Sequence, residues 1–184
     1  MIIGTTGTLG AGKNTINDYL VKKFNFINFT CSDEIREELK KRNLEDNRDN
    51  LIRVANELRE IEGNGFIGKR IAKKIIDQNI KKASIDGIRH PDEVIELKKA
   101  GNFFLIKVDA PIKVRFERIK SRGTLKDEVT IEKFREQEEF ELKSKNKYNQ
   151  QIAATMVLAD YSINNDSTKE ELYNKVEEIL KKIK

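Results

Sequence analysis

Apolar positions along the chain alternate between short continuous runs and stripes at helical spacing. Residues 1–6 (MIIGTT) form a brief apolar, β-branched run that predicts a strand. A glycine-rich turn follows at 7–12. From Lys13 to Phe24 the apolar residues Ile16, Tyr19 and Leu20 share one side, which predicts a helix. Phe26 to Phe29 reads as a second strand, and Ser32 or Asp33 is placed to cap a helix running to about Arg42.

Leu51, Val54, Ala55, Leu58 and Ile61 mark another amphipathic helix, stopped by Gly63 and Gly65. Phe66 to Asn79 continues in helix, and Lys82 to Asp86 is a third strand. Pro91 opens a helix that ends near Gly101. Phe103 to Val108 (FFLIKV) is the clearest strand, and Pro111 opens the helix after it, to about Arg122. The charged stretch 123–150 predicts two helical pieces. Residues 157–163 (VLADYSI) read as a last strand, and Ser167 with Glu170 resembles a capping box for the terminal helix. Strand and helix alternate about five times, so the expected fold is α/β: a five-stranded parallel sheet with helices on both faces, in three layers.

A length of 184 residues fits one domain with small insertions. The single Cys31 and single His90 exclude an internal disulfide and a Cys/His metal cluster within the chain. With no apolar run of spanning length and an N-terminus that enters a strand at once, the expectation is a cytoplasmic protein without a membrane segment. The formal charge of +5 arises from 36 basic and 31 acidic residues interleaved along helices. That pattern is a solvated surface and does not by itself ask for a nucleic-acid partner.

The turn after the first strand carries the sharpest chemistry: Gly7-Thr8-Leu9-Gly10-Ala11-Gly12-Lys13-Asn14-Thr15. Between a strand and a helix, such glycines let main-chain N–H groups converge on phosphate oxygens, and the helix N-terminus adds partial positive charge. Lys13 would place an ammonium on the β- and γ-phosphates of a nucleotide. A phosphate-binding loop (P-loop) ordinarily has Ser or Thr directly after the lysine, for Mg²⁺. Here that position is Asn14 and the hydroxyl comes one residue later, at Thr15.

GxxGAGKxT resembles the phosphate loop of adenylate kinases and related nucleoside monophosphate kinases, in which glycine precedes the threonine; Asn14 departs from that pattern. Cys31-Ser32-Asp33-Glu34-Ile35-Arg36 is similar to the family's TGDxLR segment, and Ile85-Asp86-Gly87-Ile88-Arg89 to its DGFPR segment. The resemblance implies a P-loop NTPase fold with an acceptor-binding helical insertion at about 31–80 and a lid at about 123–147. The core would then be 1–30, 81–122 and 148–184. It implies that Asp33, Arg36 and Arg89 bind the acceptor, Arg89 holding either its phosphate or the transferring group, and that Thr15 and Asp86 serve Mg²⁺, Asp86 through water. Arg118 and Arg122 match the family's paired arginines, Arg118 near the donor base and Arg122 at the phosphates, with Arg135 a candidate to close over the transferring group. Arginine supplies a planar fork that lysine lacks, and only 11 of the 36 basic residues are Arg.

Ala159 to Ser167 resembles the final strand and loop of dephospho-coenzyme A kinases and of small archaeal-type P-loop kinases, which implies adenine contact near Asn165. The implied activity is an ATP- and Mg²⁺-dependent kinase acting on a small-molecule phosphate acceptor, a nucleoside or deoxynucleoside monophosphate. Transfer to the ribose hydroxyl of dephospho-coenzyme A, with Asp33 as base, is the alternative. A nucleotide- or RNA-binding protein without turnover stays open as a third reading.

Overall fold

The computed structural model describes residues 1–121, 123, 130–142 and 149–183, the side chains at 137 and 140–142 excepted. The strands are β1 (Ile2–Gly7), β2 (Ile27–Thr30), β3 (Ala83–Asp86), β4 (Phe103–Asp109) and β5 (Tyr161–Asn164). They form one all-parallel sheet in the order β2-β3-β1-β4-β5. This is the expected α/β P-loop architecture. The chain leaves β1 at the centre for the edge strand β2, returns to β3 between the two, then crosses to β4 and β5 on the other side.

Around the sheet lie α1 (Lys13–Phe24), α2 (Cys31–Lys41), α3 (Arg48–Glu62), α4 (Phe66–Asp77), α5 (Pro91–Lys98), α6 (Ile112–Ser121), α7 (Ile131–Leu142), α8 (Ile152–Val157) and α9 (Lys169–Lys182). Successive strand residues face opposite sides, and the central strands are apolar on both. Ile2, Ile85, Leu105 and Leu97 join one core with Leu39, Val54, Phe66 and Ile71. Ile3, Ile106 and Val108 join the other with Ile16, Leu20, Leu172 and Val176. Three helices, α2 to α4, intervene between β2 and β3.

Three local expectations change. The apolar pair Val157 and Leu158 does not begin the last strand: Val157 ends α8 and is 82% exposed. The strand starts at Tyr161, because Asp160 first ties itself to β4, its carboxylate accepting from Leu105 N at 2.7 Å and its own N–H donating to Leu105 O at 2.9 Å. The terminal helix is capped by Thr168, whose hydroxyl accepts from Glu171 N, rather than by Ser167 with Glu170. Thr30, not Ser32 or Asp33, caps α2, accepting from Asp33 N at 3.2 Å. Strand β2 therefore passes into α2 with no intervening loop.

Candidate active site

The functional side chains gather at the carboxyl ends of β1, β3 and β4, where open parallel sheets place their ligand sites. The turn from β1 to α1 is held in a shape that demands glycine. Gly7 has φ 135°, and a Cβ there would lie 1.9 Å from the Val108 carbonyl oxygen of β4. Gly12 has φ 105°, with Asn165 Nδ2 2.3 Å from the place a Cβ would occupy. Both backbones sit where an L side chain is strained as well as obstructed.

Three partners pin this loop. Thr8 Oγ1 donates to Asp109 Oδ1 at the end of β4, 2.8 Å away. Asn165, just after β5, is 6% exposed and donates from Nδ2 to Ala11 O at 2.7 Å. Arg115 on α6 reaches Leu9 O at 3.3 Å. The loop is thus preorganised by protein contacts from β4, β5 and α6.

Lys13 Nζ donates to Gly7 O at 2.9 Å and Thr8 O at 2.8 Å, which curls the ammonium along the inside of the loop. Burial lowers its pKa to about 8, and the nearby Arg89 cation pushes in the same direction. Asp86 shifts the opposite way: burial raises its carboxyl above the ordinary value, against the pull of Lys13 and a hydroxyl hydrogen bond from Thr5. Two residues hold that carboxylate. Thr5 Oγ1 and Asn17 Nδ2 each lie 3.2 Å from Asp86 Oδ1, and Asn17 Nδ2 also reaches Thr5 Oγ1 at 2.9 Å and Lys13 O at 3.0 Å.

Thr15 is half-buried and Asn14 exposed in the first turn of α1. A hydroxyl and a carboxylate are hard oxygen donors of the kind Mg²⁺ takes. Among the described residues no group of three His, Cys, Asp or Glu is assembled for a metal. That donor set fits a cation that arrives with a nucleotide's phosphates and keeps several of its waters. Thr15 and Asp86 would hold it.

Arg89 follows β3 and shares the electrostatic neighbourhood of Lys13 and Asp86. Its Nη1 donates to Gln150 Oε1 at 3.1 Å, and its backbone N–H donates to Glu93 Oε2 at 2.9 Å. His90 caps α5 in a reciprocal arrangement with Glu93. Arg36 and Asp33 lie together on the exposed first turns of α2, Nη1 to Oδ1 at 2.9 Å, and Arg36 Nε pairs with Asp46 at 2.9 Å. Arg118 is half-buried on α6 and Arg135 exposed on α7. Arg122 lies outside the described residues, as do 124–129 and 143–147 of the span 123–147 read as a lid.

Sequence reasoning missed Thr5, Asn17, Asp109 and Arg115. Asn17 had a signal: it lies four residues after Lys13, on the same face as the apolar Ile16 and Leu20 that turn to the core. Asp109 had one as well, as the acidic residue directly after the clearest strand.

A parallel sheet with this loop at the end of its central strand defines a P-loop protein. A family model described as an AAA domain matches residues 3–143. The chain belongs to that family and to the UPF0200 proteins. It is 38% identical to the UPF0200 protein of Sulfurisphaera tokodaii over 99% of this chain and 97% of that one. With the UPF0200 protein of Thermococcus onnurineus it shares 35% identity, over 100% and 98% of the two chains. Among solved structures it resembles shikimate kinase from Bacteroides thetaiotaomicron (TM-score 0.66, 16% identity, 98% of each chain). It also resembles a gluconokinase from Sinorhizobium meliloti (TM-score 0.56, 10% identity, 98% of this chain and 91% of that one). At such identities the likeness is one of fold.

Proposed function

We propose that this protein is an ATP-dependent small-molecule kinase that passes the γ-phosphoryl group to a nucleoside or deoxynucleoside monophosphate. One observation carries the reading: a glycine-shaped loop, pinned from three elements, sets the Lys13 ammonium beside the Asp86 carboxylate at the sheet's carboxyl edge. Phosphoryl transfer asks little covalent chemistry of a protein. It asks for charge neutralisation and alignment of two phosphates.

In this reading the loop amides of residues 7–12 and Lys13 hold the donor's phosphates. Thr15 and Asp86 would hold Mg²⁺, which when bound would supply charge compensation to the donor's phosphates. Thr5 and Asn17 keep Asp86 oriented. Arg89, with Arg36 and Asp33 on α2, takes the acceptor, so residues 31–80 serve as the acceptor-binding insertion. Arg118 and Asn165 lie on the donor-base side. Arg122 reaches the phosphates, and Arg135 belongs to the closing segment at 123–147, which excludes water and suppresses hydrolysis of ATP. An acceptor oxygen attacks the γ-phosphorus, the bond to the β-phosphate oxygen breaks, and ADP leaves.

The names shikimate kinase and gluconokinase among the similar folds favour a kinase over a nucleotide-binding protein without turnover. A second reading, transfer to a hydroxyl such as the ribose hydroxyl of dephospho-coenzyme A, draws on Asp33. Its side chain is 59% exposed on the first turn of α2, accessible as a base.

The test is ADP release from Mg·ATP with a panel of nucleoside and deoxynucleoside monophosphates and with dephospho-coenzyme A. Turnover with a monophosphate well above the acceptor-free rate is expected. Turnover with dephospho-coenzyme A alone would move the assignment to the hydroxyl reading. No turnover with any acceptor, together with salt-sensitive RNA binding, would overturn both.

A further inference from the structure

Arg115, on the first turns of α6, is 5% exposed, and the proposed chemistry gives it no task. All three nitrogens of its guanidinium make hydrogen bonds. Nε donates to Ala110 O at 2.7 Å, Nη1 reaches Leu9 O on the phosphate loop at 3.3 Å, and Nη1 and Nη2 fork onto the Glu138 carboxylate of α7, Nη2 to Oε2 at 2.8 Å. Asp109, which receives the Thr8 hydroxyl, lies 3.8 Å from Nε. Phe134, one turn earlier on α7, stands 5.9 Å from the guanidinium carbon and packs against Phe116 of α6.

The contact with the loop is close on the main-chain side too. A Cβ on Gly10 would lie 2.8 Å from Arg115 O, so the crest of the loop rests directly on the α6 backbone. One planar group therefore touches the phosphate loop and α7 at once, and arginine's fork of five donors can serve a backbone carbonyl while it grips both oxygens of a carboxylate.

We infer that Arg115 is a positioning residue for the donor nucleotide, fixing the Leu9–Gly10 crest of the phosphate loop against α7 so that nucleotide binding and docking of α7 are energetically linked. The inference rests on the loop being the donor-phosphate site. The physical basis is that the Arg115–Glu138 pair is largely removed from water, with side chains 6% and 16% exposed, so its strength depends on the geometry of both partners. A loop ordered by phosphates strengthens the pair and seats α7. By reciprocity, a seated α7 strengthens nucleotide binding by the same factor. A simple staple between α6 and α7 would give stability without any response to nucleotide.

The experiment measures amide hydrogen exchange of residues 131–142 with and without the non-hydrolysable ATP analogue AMP-PNP and Mg²⁺, together with the Kd of the analogue. It uses the full chain as wild type, Glu138→Gln and Arg115→Lys. In the wild type, the analogue is expected to slow exchange in α7 several-fold. In Glu138→Gln that slowing should fall below twofold, and Kd should rise by about 5- to 20-fold, within the usual range of coupling between sites. Arg115→Lys should lie between the two; if it does not fold, Glu138→Gln alone decides the matter. Tight binding to the wild type with no change in α7, or an unchanged Kd in Glu138→Gln, overturns the inference and leaves the kinase reading standing. Failure of the wild type to bind the analogue overturns the kinase reading and, with it, this inference.

Discussion

The Arg59 guanidinium on α3 meets the Glu93 carboxylate on α5 at 3.3 Å, with the two side chains 2% and 1% exposed. The other oxygen of that carboxylate accepts the backbone N–H of Arg89 at 2.9 Å and of His90 at 3.2 Å. A charge from the segment between β2 and β3 thus reaches the turn that carries Arg89. Removing one member of such a pair leaves a buried, uncompensated charge, which costs about 3–5 kcal/mol. Arg59→Met is expected to lose about that much stability in urea unfolding. The double variant Arg59→Met/Glu93→Gln should recover a substantial part, because neither charge is then stranded.

Lys13 gives a pH signature. Its folded pKa is about 8 against an ordinary 10.5, so in the free protein it loses its proton as pH rises through 8. Nucleotide phosphates favour the charged form, so binding near pH 8–9 should take up a proton, and ATP affinity should fall as pH rises through that range. Calorimetric titrations in buffers of contrasting ionisation heat read the uptake directly. The sign for folding is the reverse of a stabilising ion pair. The unfolded chain holds this proton up to 10.5, so the lysine's cost to stability is complete below pH 8 and fades between 8 and 10.5. Lys13→Ala should therefore abolish phosphoryl transfer without lowering the unfolding midpoint at pH 7.

Gly12→Ala tests the loop's geometry. The new methyl would meet Asn165 Nδ2, and the residue would keep a positive φ of 105°. A loss of about 1–2 kcal/mol of stability from the backbone alone is expected. The displaced Asn165 amide would release Ala11 O. Fluorescent-nucleotide titration should show at least a tenfold weaker complex.

On the acceptor side, Arg36→Ala should raise the acceptor KM far more than the KM for ATP. Its present partners, Asp33 and Asp46, are exposed, so their pairing contributes little to stability. Steady-state kinetics with each substrate varied in turn separates the effects. An equal rise for both substrates would remove Arg36 from the acceptor site.

Much of the fold was readable because its signals are local. Glycines at 7, 10 and 12 between an apolar run and a helical stripe announce the loop, and the proline-led helices and the FFLIKV strand declare themselves by composition and spacing. Val157 and Leu158 misled because two adjacent apolar residues look the same in a strand as on the exposed end of a short helix. What settles them is the tie between Asp160 and Leu105, 55 residues away in sequence. Asn17 was harder to read, since a polar residue on a core-facing stripe declares a buried partner without naming it.

The sequence by itself determined the elements, the phosphate-binding turn and the set of cations from which a site could be drawn, since backbone dihedral preferences and hydrophobic periodicity act within a few residues. Tertiary structure alone decided that β3 and β4 flank β1, which brings Asp86 and Asp109 to the two sides of the loop. It alone decided that Arg115 is spent on the loop crest and Glu138, and Arg59 on Glu93. The reason is physical: a charged side chain has no fixed role along a chain, and its burial and its partner exist only once distant segments have packed around it.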